Sequence, residues 1–211
     1  MKDLPEIIEK KAHFLHRQDI QRLARIVKRG VAMRDYHFKS QRGNTYKMIL
    51  RITSKLFLTC IYCTYMTEKG LASVNFTTKG ANHMAIYTAH FFHQYRERFL
   101  REPDMEREEV IRIFHMRNYG NITYGNELDH GHVPASVPDG YCVSVIEDGV
   151  NVVITYVRPD MLKEDQKKKW MELHDLNDQL FTSAIAGYSE IELENGIKAV
   201  NPEHYKKTLK P

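Results

Sequence analysis

No apolar run in this chain approaches the length of about 20 residues that a membrane-spanning helix needs. The longest apolar-leaning stretch, Leu56–Met66, is much shorter and predicts a buried strand. The first residues, MKDLPEIIEKK, lack the apolar core of a secretory signal. We therefore expect no membrane partner and a cytoplasmic location.

Cysteine and glycine motifs are equally scarce. The chain has three cysteines, and this odd number argues against a disulfide framework and for a reducing compartment. Its eleven glycines are scattered singly among turns, with no P-loop and no GxGxxG. A Gly-x-Ser-x-Gly elbow is also absent, which argues against a serine-dependent α/β hydrolase. We expect no cofactor.

What remains is an ordinary globular composition, 42% hydrophobic and 27% charged. It predicts an α+β fold, with helices packed on an antiparallel sheet, an N-terminal helical pair and a long C-terminal helix. A single domain covering 1–211 is expected. It comprises a basic helical N-terminal segment (1–35), an α+β core (36–160) and a C-terminal helical segment (161–211).

Local patterns place the first elements. A helix begins near Pro5, and a second carries the apolar stripe Ile20–Val27 before Gly30. Alternation then changes to a period of two and predicts hairpin-linked strands, with turns at Arg42–Asn44 and Glu68–Gly70.

The second half of the chain contains a loop, a hairpin and a helix. The segment 118–140 reads as a loop with a short strand at Ile122–Tyr124. A hairpin follows over Gly140–Val157. Asp160 can cap the last helix, whose buried side would be formed by Leu162, Trp170, Leu173, Leu176 and Leu180.

Positive charge is concentrated near the start of the chain. Residues 1–50 contain twelve Lys and Arg against five Asp and Glu, whereas the remainder contains nineteen against twenty-two. Arg22, Arg25 and Arg29 of the predicted second helix are therefore candidate contacts to a nucleic-acid backbone. A pair of merely solvated basic helices is the alternative.

The segment His90–Phe99, HFFHQYRERF, has the densest set of acid/base side chains. On a helical wheel its aromatic residues fall on one side, as the anchor to a core, and its imidazoles and carboxylate on the other. His93 and Glu97 are four residues apart, so they are expected to touch and to act as an acid/base pair. Arg96 and Arg98 would border this row and hold an anion. The alternative is a solvated helix face.

This spacing resembles the barnase/EndoU/colicin/RelE-like nuclease superfamily over about residues 88–160. His90 stands at the family's His, Glu97-Arg98 at its Glu-Arg, Glu108–Phe114 at its second helix and Ile154–Val157 at its final strand. Gln94 stands where the family usually has Arg.

The resemblance implies helices packed on a small antiparallel sheet and a metal-independent RNase. It implies that His90 is a general acid/base, Arg98 a phosphate clamp, and Thr155 or Tyr156 a further contact. His115 and Arg117, in the following helix, are additional candidate substrate-binding residues.

Two metal sites are also considered. Cys60, Cys63 and Cys142 with His130 and His132 have zinc-ligand chemistry, but residues three apart on a strand face opposite sides. Alternatively, His90, His93 and Glu97 could bind a hydrolytic metal with a further ligand such as His115.

The leading hypothesis is a metal-independent endoribonuclease, or a diverged relative, in which His90 exchanges the proton, His93 and Glu97 tune it, and Arg96 and Arg98 stabilise charge. A non-enzymatic nucleic-acid-binding or accessory protein of a mobile element is the alternative, and a metal-dependent hydrolase is the third. The partners considered are RNA and a protein inhibitor of the antitoxin kind.

Overall fold

The computed structural model describes residues 2–15, 32–52, 57–76, 84–118, 122–128 and 131–193. The chain divides into two compact units, residues 1–59 with 179–211 and residues 60–178, which are described separately. The predicted α+β class is confirmed, whereas the predicted single domain stays a prediction. The second N-terminal helix and Arg22, Arg25 and Arg29 lie outside the described residues. Within those residues, no helix is both long and apolar enough to cross a membrane.

The first unit contains a helix beside a hairpin: α1 (Leu4–Leu15), β1 (Ala32–Lys39) and β2 (Thr45–Ile52). The two strands pair antiparallel, and Gly43 supplies the positive φ of +88° that their turn requires. The Asp3 carboxylate accepts hydrogen bonds from the Tyr46 hydroxyl and the Asn44 amide, both at 2.8 Å. These bonds attach the start of α1 to the hairpin.

The second unit is built on a mixed sheet. Its strands are β3 (Phe57–Thr67), β4 (Gly70–Phe76), β5 (Met84–Tyr87), β6 (Thr123–Tyr124), β7 (His132–Val137), β8 (Gly140–Glu147) and β9 (Val150–Val157). They follow the order β3-β4-β5-β9-β8-β7-β6. The β5–β9 pairing is parallel, and the other pairings described in this unit are antiparallel. The sheet was expected to be antiparallel, and this expectation is wrong at the β5–β9 pairing.

The parallel pairing requires a long crossover between β5 and β9. Its helices are α2 (Ala89–Tyr95), a π-helical segment (Arg96–Leu100) and α3 (Arg107–Asn118). The predicted short strand at 122–124 is confirmed by β6, and the predicted hairpin by β8 and β9. Strand β7 lies in the segment that was expected to be loop. Pro134 and the flanking glycines are typical of loops, so the alternation of apolar and polar residues that indicates a strand is weak here.

Aromatic rings hold the crossover helices together in the core. Phe91 and Tyr95 of α2 are fully buried, and their ring centroids lie 5.0 and 5.1 Å from that of Phe114 in α3. Tyr156 of β9 lies 5.4 Å from Tyr95 in an edge-on contact. The predicted aromatic side of the helix is therefore buried, as expected from its spacing.

A fourth helix, α4 (Glu164–Leu193), follows β9 after a 3-10 turn (Pro159–Met161). Within the second unit, Trp170 packs edge-on against Tyr141 at 5.4 Å. Two predicted details are wrong. Asp160 lies in the 3-10 turn and pairs with Arg158, so it does not cap the helix. Leu176 is 44% exposed, although it was expected on the buried side.

Candidate functional site

Helix α2 presents its histidines because of how it begins. The Thr88 hydroxyl accepts a hydrogen bond from the Phe91 amide at 3.1 Å and donates one to the Ile154 carbonyl at 3.2 Å. This cap fixes the helix start against β9. With Phe91 and Phe92 turned into the core, His90 and His93 are left exposed.

His90 and His93 line a cavity of about 240 Å³ in the second unit. The cavity collects cationic side chains from three places: the β3–β4 turn, the helix α2 with its π-helical extension, and the start of α3. Its polar lining residues are Lys69, His90, His93, Arg96 and Arg107, and its apolar lining residues are Leu71, Ala89, Phe92 and Val110. We call this space the basic cavity.

No carboxylate is among the residues that line the basic cavity. The side chains of Lys69, His90 and Arg107 form no hydrogen bond or ion pair within the described part of the chain. Glu109, which follows in α3, pairs instead with Arg112 at 2.9 Å. Arg96 is paired with Glu97, but Lys69 and Arg107 bring positive charge to the cavity that no carboxylate of the described chain pairs with, and this charge favours binding of an anion.

Arg96 is held in place by three neighbours. Its Nη1 donates to the Met105 carbonyl at 3.3 Å, and its Nη2 donates to Glu97 Oε1 at 3.3 Å. Nη2 also lies 3.5 Å from His93 Nδ1. Because a guanidinium can only donate, this long contact is favourable when Nδ1 carries a lone pair. We therefore assign the Nε2–H tautomer to neutral His93.

Arg107 approaches the backbone at Gly70. This glycine has a φ of +118°, and a Cβ built on it would lie 2.6 Å from Arg107 Nη1. The glycine thus gives the turn its backbone conformation and leaves the space that the guanidinium occupies. Arg107 and Lys69 were not predicted as site residues, since nothing in their local sequence links them to the histidines.

A second cavity, of about 530 Å³, adjoins the basic cavity. The two have Lys69, Ala89 and His90 in common. The other lining residues of the second cavity are Tyr65, Thr67, Glu68, Ala72, Thr88 and Ile154. Burial raises the pKa of the Tyr65 hydroxyl, so this ring is uncharged at neutral pH.

The predicted contact between His93 and Glu97 does not form among the described residues. The α-helix gives way to a π-helical segment at Arg96, so the spacing of 100° per residue no longer applies beyond Tyr95. Glu97 bonds Arg96 instead. The segment ends at Leu100, and the next residue, Arg101, has a φ of 58° and donates its amide hydrogen to the Arg96 carbonyl at 2.8 Å.

Arg98, Thr155 and Tyr156 do not join the histidines. Arg98 Nη1 donates to the Tyr156 backbone carbonyl at 2.6 Å. The Tyr156 side chain is fully buried and donates its hydroxyl proton to the Asp139 carbonyl at 2.6 Å. None of the three lines either cavity beside His90. The two cavities therefore do not bring these three residues together with His90, and their role in a site stays a prediction.

His115 is also misplaced by the sequence prediction. Its ring is fully buried, with Nε2 2.9 Å from Ser73 Oγ and Nδ1 3.7 Å from Cys60 Sγ. Burial lowers the pKa of His115 to about 3 and raises that of the Cys60 thiol. Both groups are therefore neutral core side chains that no substrate reaches.

Arg117 binds a carboxylate of its own chain. Its Nε and Nη2 donate to Asp139 at 2.9 and 2.7 Å, and its guanidinium lies 4.9 Å from the Phe99 ring centroid. The hydrogen bonds to Asp139 raise the pKa of Arg117. This geometry indicates a structural ion pair, and the role of Arg117 as a substrate contact stays a prediction.

The described residues contain no group of three or more His, Cys, Asp or Glu side chains placed to hold a metal ion. Cys60 is buried against Asn75 and His115, whereas Cys63 is half-buried. His130 lies outside the described residues.

Comparison with protein-family models, with curated proteins and with solved structures finds no match to this chain.

Proposed function

We propose that the basic cavity binds a phosphate group of RNA and that the protein is a metal-independent endoribonuclease, or a diverged relative of one. One observation carries the proposal: two histidines and three cations line one cavity whose lining includes no carboxylate. A phosphodiester meets such a site through charge-assisted hydrogen bonds to its oxygens. The resemblance of the His90 segment to the nuclease superfamily supports the same chemistry.

We assign the roles in the cleavage step from the contacts that each side chain makes. His90, which has no partner within the described chain, takes the proton from the ribose 2′-hydroxyl. The 2′ oxygen attacks phosphorus, the bond from phosphorus to the 5′ oxygen breaks, and the Lys69 ammonium supplies the proton to the leaving oxygen. The products are a 2′,3′-cyclic phosphate and a 5′-hydroxyl.

Hydrogen-bond donors stabilise the negative charge that develops on the phosphorane oxygens. Arg96 and Arg107 carry the positive charge, and the Nε2–H of His93 donates to a phosphate oxygen. Arg96 and Arg107 thereby take the part that the resemblance assigned to Arg98. We also propose an N-terminal helical pair, in which Arg22, Arg25 and Arg29 contact the RNA backbone, and a long C-terminal helix. A protein inhibitor as partner and a cytoplasmic location belong to the same proposal.

The test is cleavage of single-stranded RNA in the presence of EDTA. Wild-type protein should cleave, and His90→Ala should reduce the rate by about 100-fold or more, the usual contribution of a general base. The exposed His37 in β1 offers a matched control, because His37→Ala removes an imidazole outside the cavity. Loss of wild-type cleavage in EDTA, or unchanged cleavage by His90→Ala, would contradict the proposal.

RNA binding without cleavage is the second candidate. It is favoured by the position of Arg98, the expected charge-stabilising residue, which bonds a backbone carbonyl and does not line the cavity. Salt-sensitive RNA binding by a wild-type protein that leaves every RNA intact would identify this function.

A further inference from the structure

The second cavity differs in chemistry from the basic cavity beside it. The basic cavity is lined by cations and no carboxylate, whereas the second cavity has a carboxylate, Glu68, and an aromatic ring, Tyr65, in its lining. Tyr65 is 38% exposed, and Ala72 and Ile154 add apolar surface. Because the Glu68 carboxylate offsets the charge of Lys69, which both cavities share, a second phosphate is less favoured here than in the basic cavity.

The two cavities are joined at defined residues. Lys69, Ala89 and His90 line both. A molecule with an anionic group in the basic cavity would therefore pass His90 before its next group reaches the second cavity. In a nucleotide, the group attached to the phosphate through the ribose is the base.

We infer that the second cavity is a base subsite, which takes one unpaired nucleobase of single-stranded nucleic acid against the Tyr65 ring. This inference rests on the proposed phosphate binding in the basic cavity. Aromatic rings are general partners for bases, because every base has a π-face that can stack. The Glu68 carboxylate can accept hydrogen bonds from an exocyclic amino group of that base.

The subsite restricts the substrate to single strands. A base inside a duplex is stacked and paired, and it has to leave the helix before it can enter a cavity. A single strand and an abasic chain of equal length carry the same number of phosphates, and a duplex of that length carries more. A base subsite therefore predicts that the single strand binds more tightly than an abasic chain of the same charge, and more tightly than a duplex in spite of the higher charge of the duplex.

The experiment measures dissociation constants for a short, labelled 2′-deoxy oligonucleotide, which lacks the 2′-hydroxyl needed for cleavage. Three ligands are compared: the single strand, the same strand in a duplex, and an abasic chain of equal length. The variants are Tyr65→Ala, Tyr65→Phe and Met66→Ala. Met66 is the matched control, because it is 72% exposed and successive strand residues face opposite sides.

Wild type should bind the single strand about 5- to 100-fold more tightly than the abasic chain, the range expected from stacking one base. Tyr65→Ala should lose this preference, while Tyr65→Phe should keep it within about twofold because the ring face remains. Met66→Ala should behave as wild type. Thermal unfolding of each variant verifies that it is folded.

Two failures are distinguishable. Equal binding of the single strand, duplex and abasic chain, unchanged in Tyr65→Ala, would overturn the base subsite while leaving phosphate binding in place. Absence of binding to all three ligands would overturn the base subsite and the proposed phosphate binding together.

Discussion

Burial separates two kinds of histidine in this chain. His90 and His93 are exposed at one cavity, where a ring nitrogen can meet a ligand. His115 is fully buried, and its ring stacks on Tyr62 at a centroid distance of 4.1 Å. The residue type is the same in both places, but only an accessible imidazole can exchange protons with a substrate. His115 instead affects stability through its own titration.

We expect the free energy of unfolding to fall as the pH is lowered from about 6.5 toward 3. In the folded state burial lowers the pKa of His115 to about 3, from an ordinary value of 6.5. Between these values the unfolded chain binds the proton and the folded chain does not. Acid therefore favours unfolding, with a contribution of about 1.4 kcal/mol per pH unit from this residue.

His115→Gln tests this titration by urea unfolding at several pH values. Glutamine keeps a donor and an acceptor for Ser73 but does not titrate. The variant should show a shallower dependence of unfolding free energy on pH in this range. His37→Gln, at an exposed position, is the control and should keep the wild-type dependence. Equal slopes for wild type and His115→Gln would contradict the expectation.

Among the secondary-structure elements, the turn between β7 and β8 ties several together through Asp139. Its carboxylate accepts hydrogen bonds from Tyr95 at 2.7 Å, from Asn118 at 2.9 Å and from Arg117. Only 7% of the side chain is exposed. Burial and the adjacent carboxylate of Asp139 raise the pKa of the Tyr95 hydroxyl, which keeps it a donor.

Asp139→Ala should lower the free energy of unfolding by about 3 kcal/mol, because it removes the acceptor of the buried Tyr95 hydroxyl, the ion-pair partner of Arg117 and one of the two acceptors of the Asn118 amide. Urea unfolding at neutral pH measures the change. The exposed Asp104 provides the comparison, since Asp104→Ala should stay within about 0.5 kcal/mol of wild type. A similarly small effect of Asp139→Ala would show that the network contributes little.

The elements that were predictable are those specified by neighbouring residues. The β8–β9 hairpin follows from its alternation and its Asp148-Gly149 turn, both of which are local. The parallel β5–β9 pairing joins strands more than sixty positions apart, and no turn signal specifies it. The π-helical segment was equally hidden, because its sequence fits an α-helix and packing decides its geometry.

The candidate site also contains residues that local sequence predicts and residues that it does not. His90, His93 and Arg96 were predictable as a group because one helix carries them. Arg107 and Lys69 reach the same cavity only through the tertiary fold. Across the chain as a whole, the formal net charge is only +4, so a phosphate site depends on where cations meet. The basic cavity is where the described structure brings them together without a carboxylate in the lining.

The most direct measurement is the salt dependence of single-stranded RNA binding, compared between wild type and Arg107→Ala. Each phosphate contact adds about 0.7 to the steepness of the plot of log K against log salt concentration. Lys163→Ala is the control, because Lys163 is an exposed cation outside both cavities. Arg107→Ala should weaken binding and flatten the slope by about 0.7, whereas Lys163→Ala should leave both near wild type. An Arg107→Ala slope equal to that of wild type would contradict phosphate binding in the basic cavity.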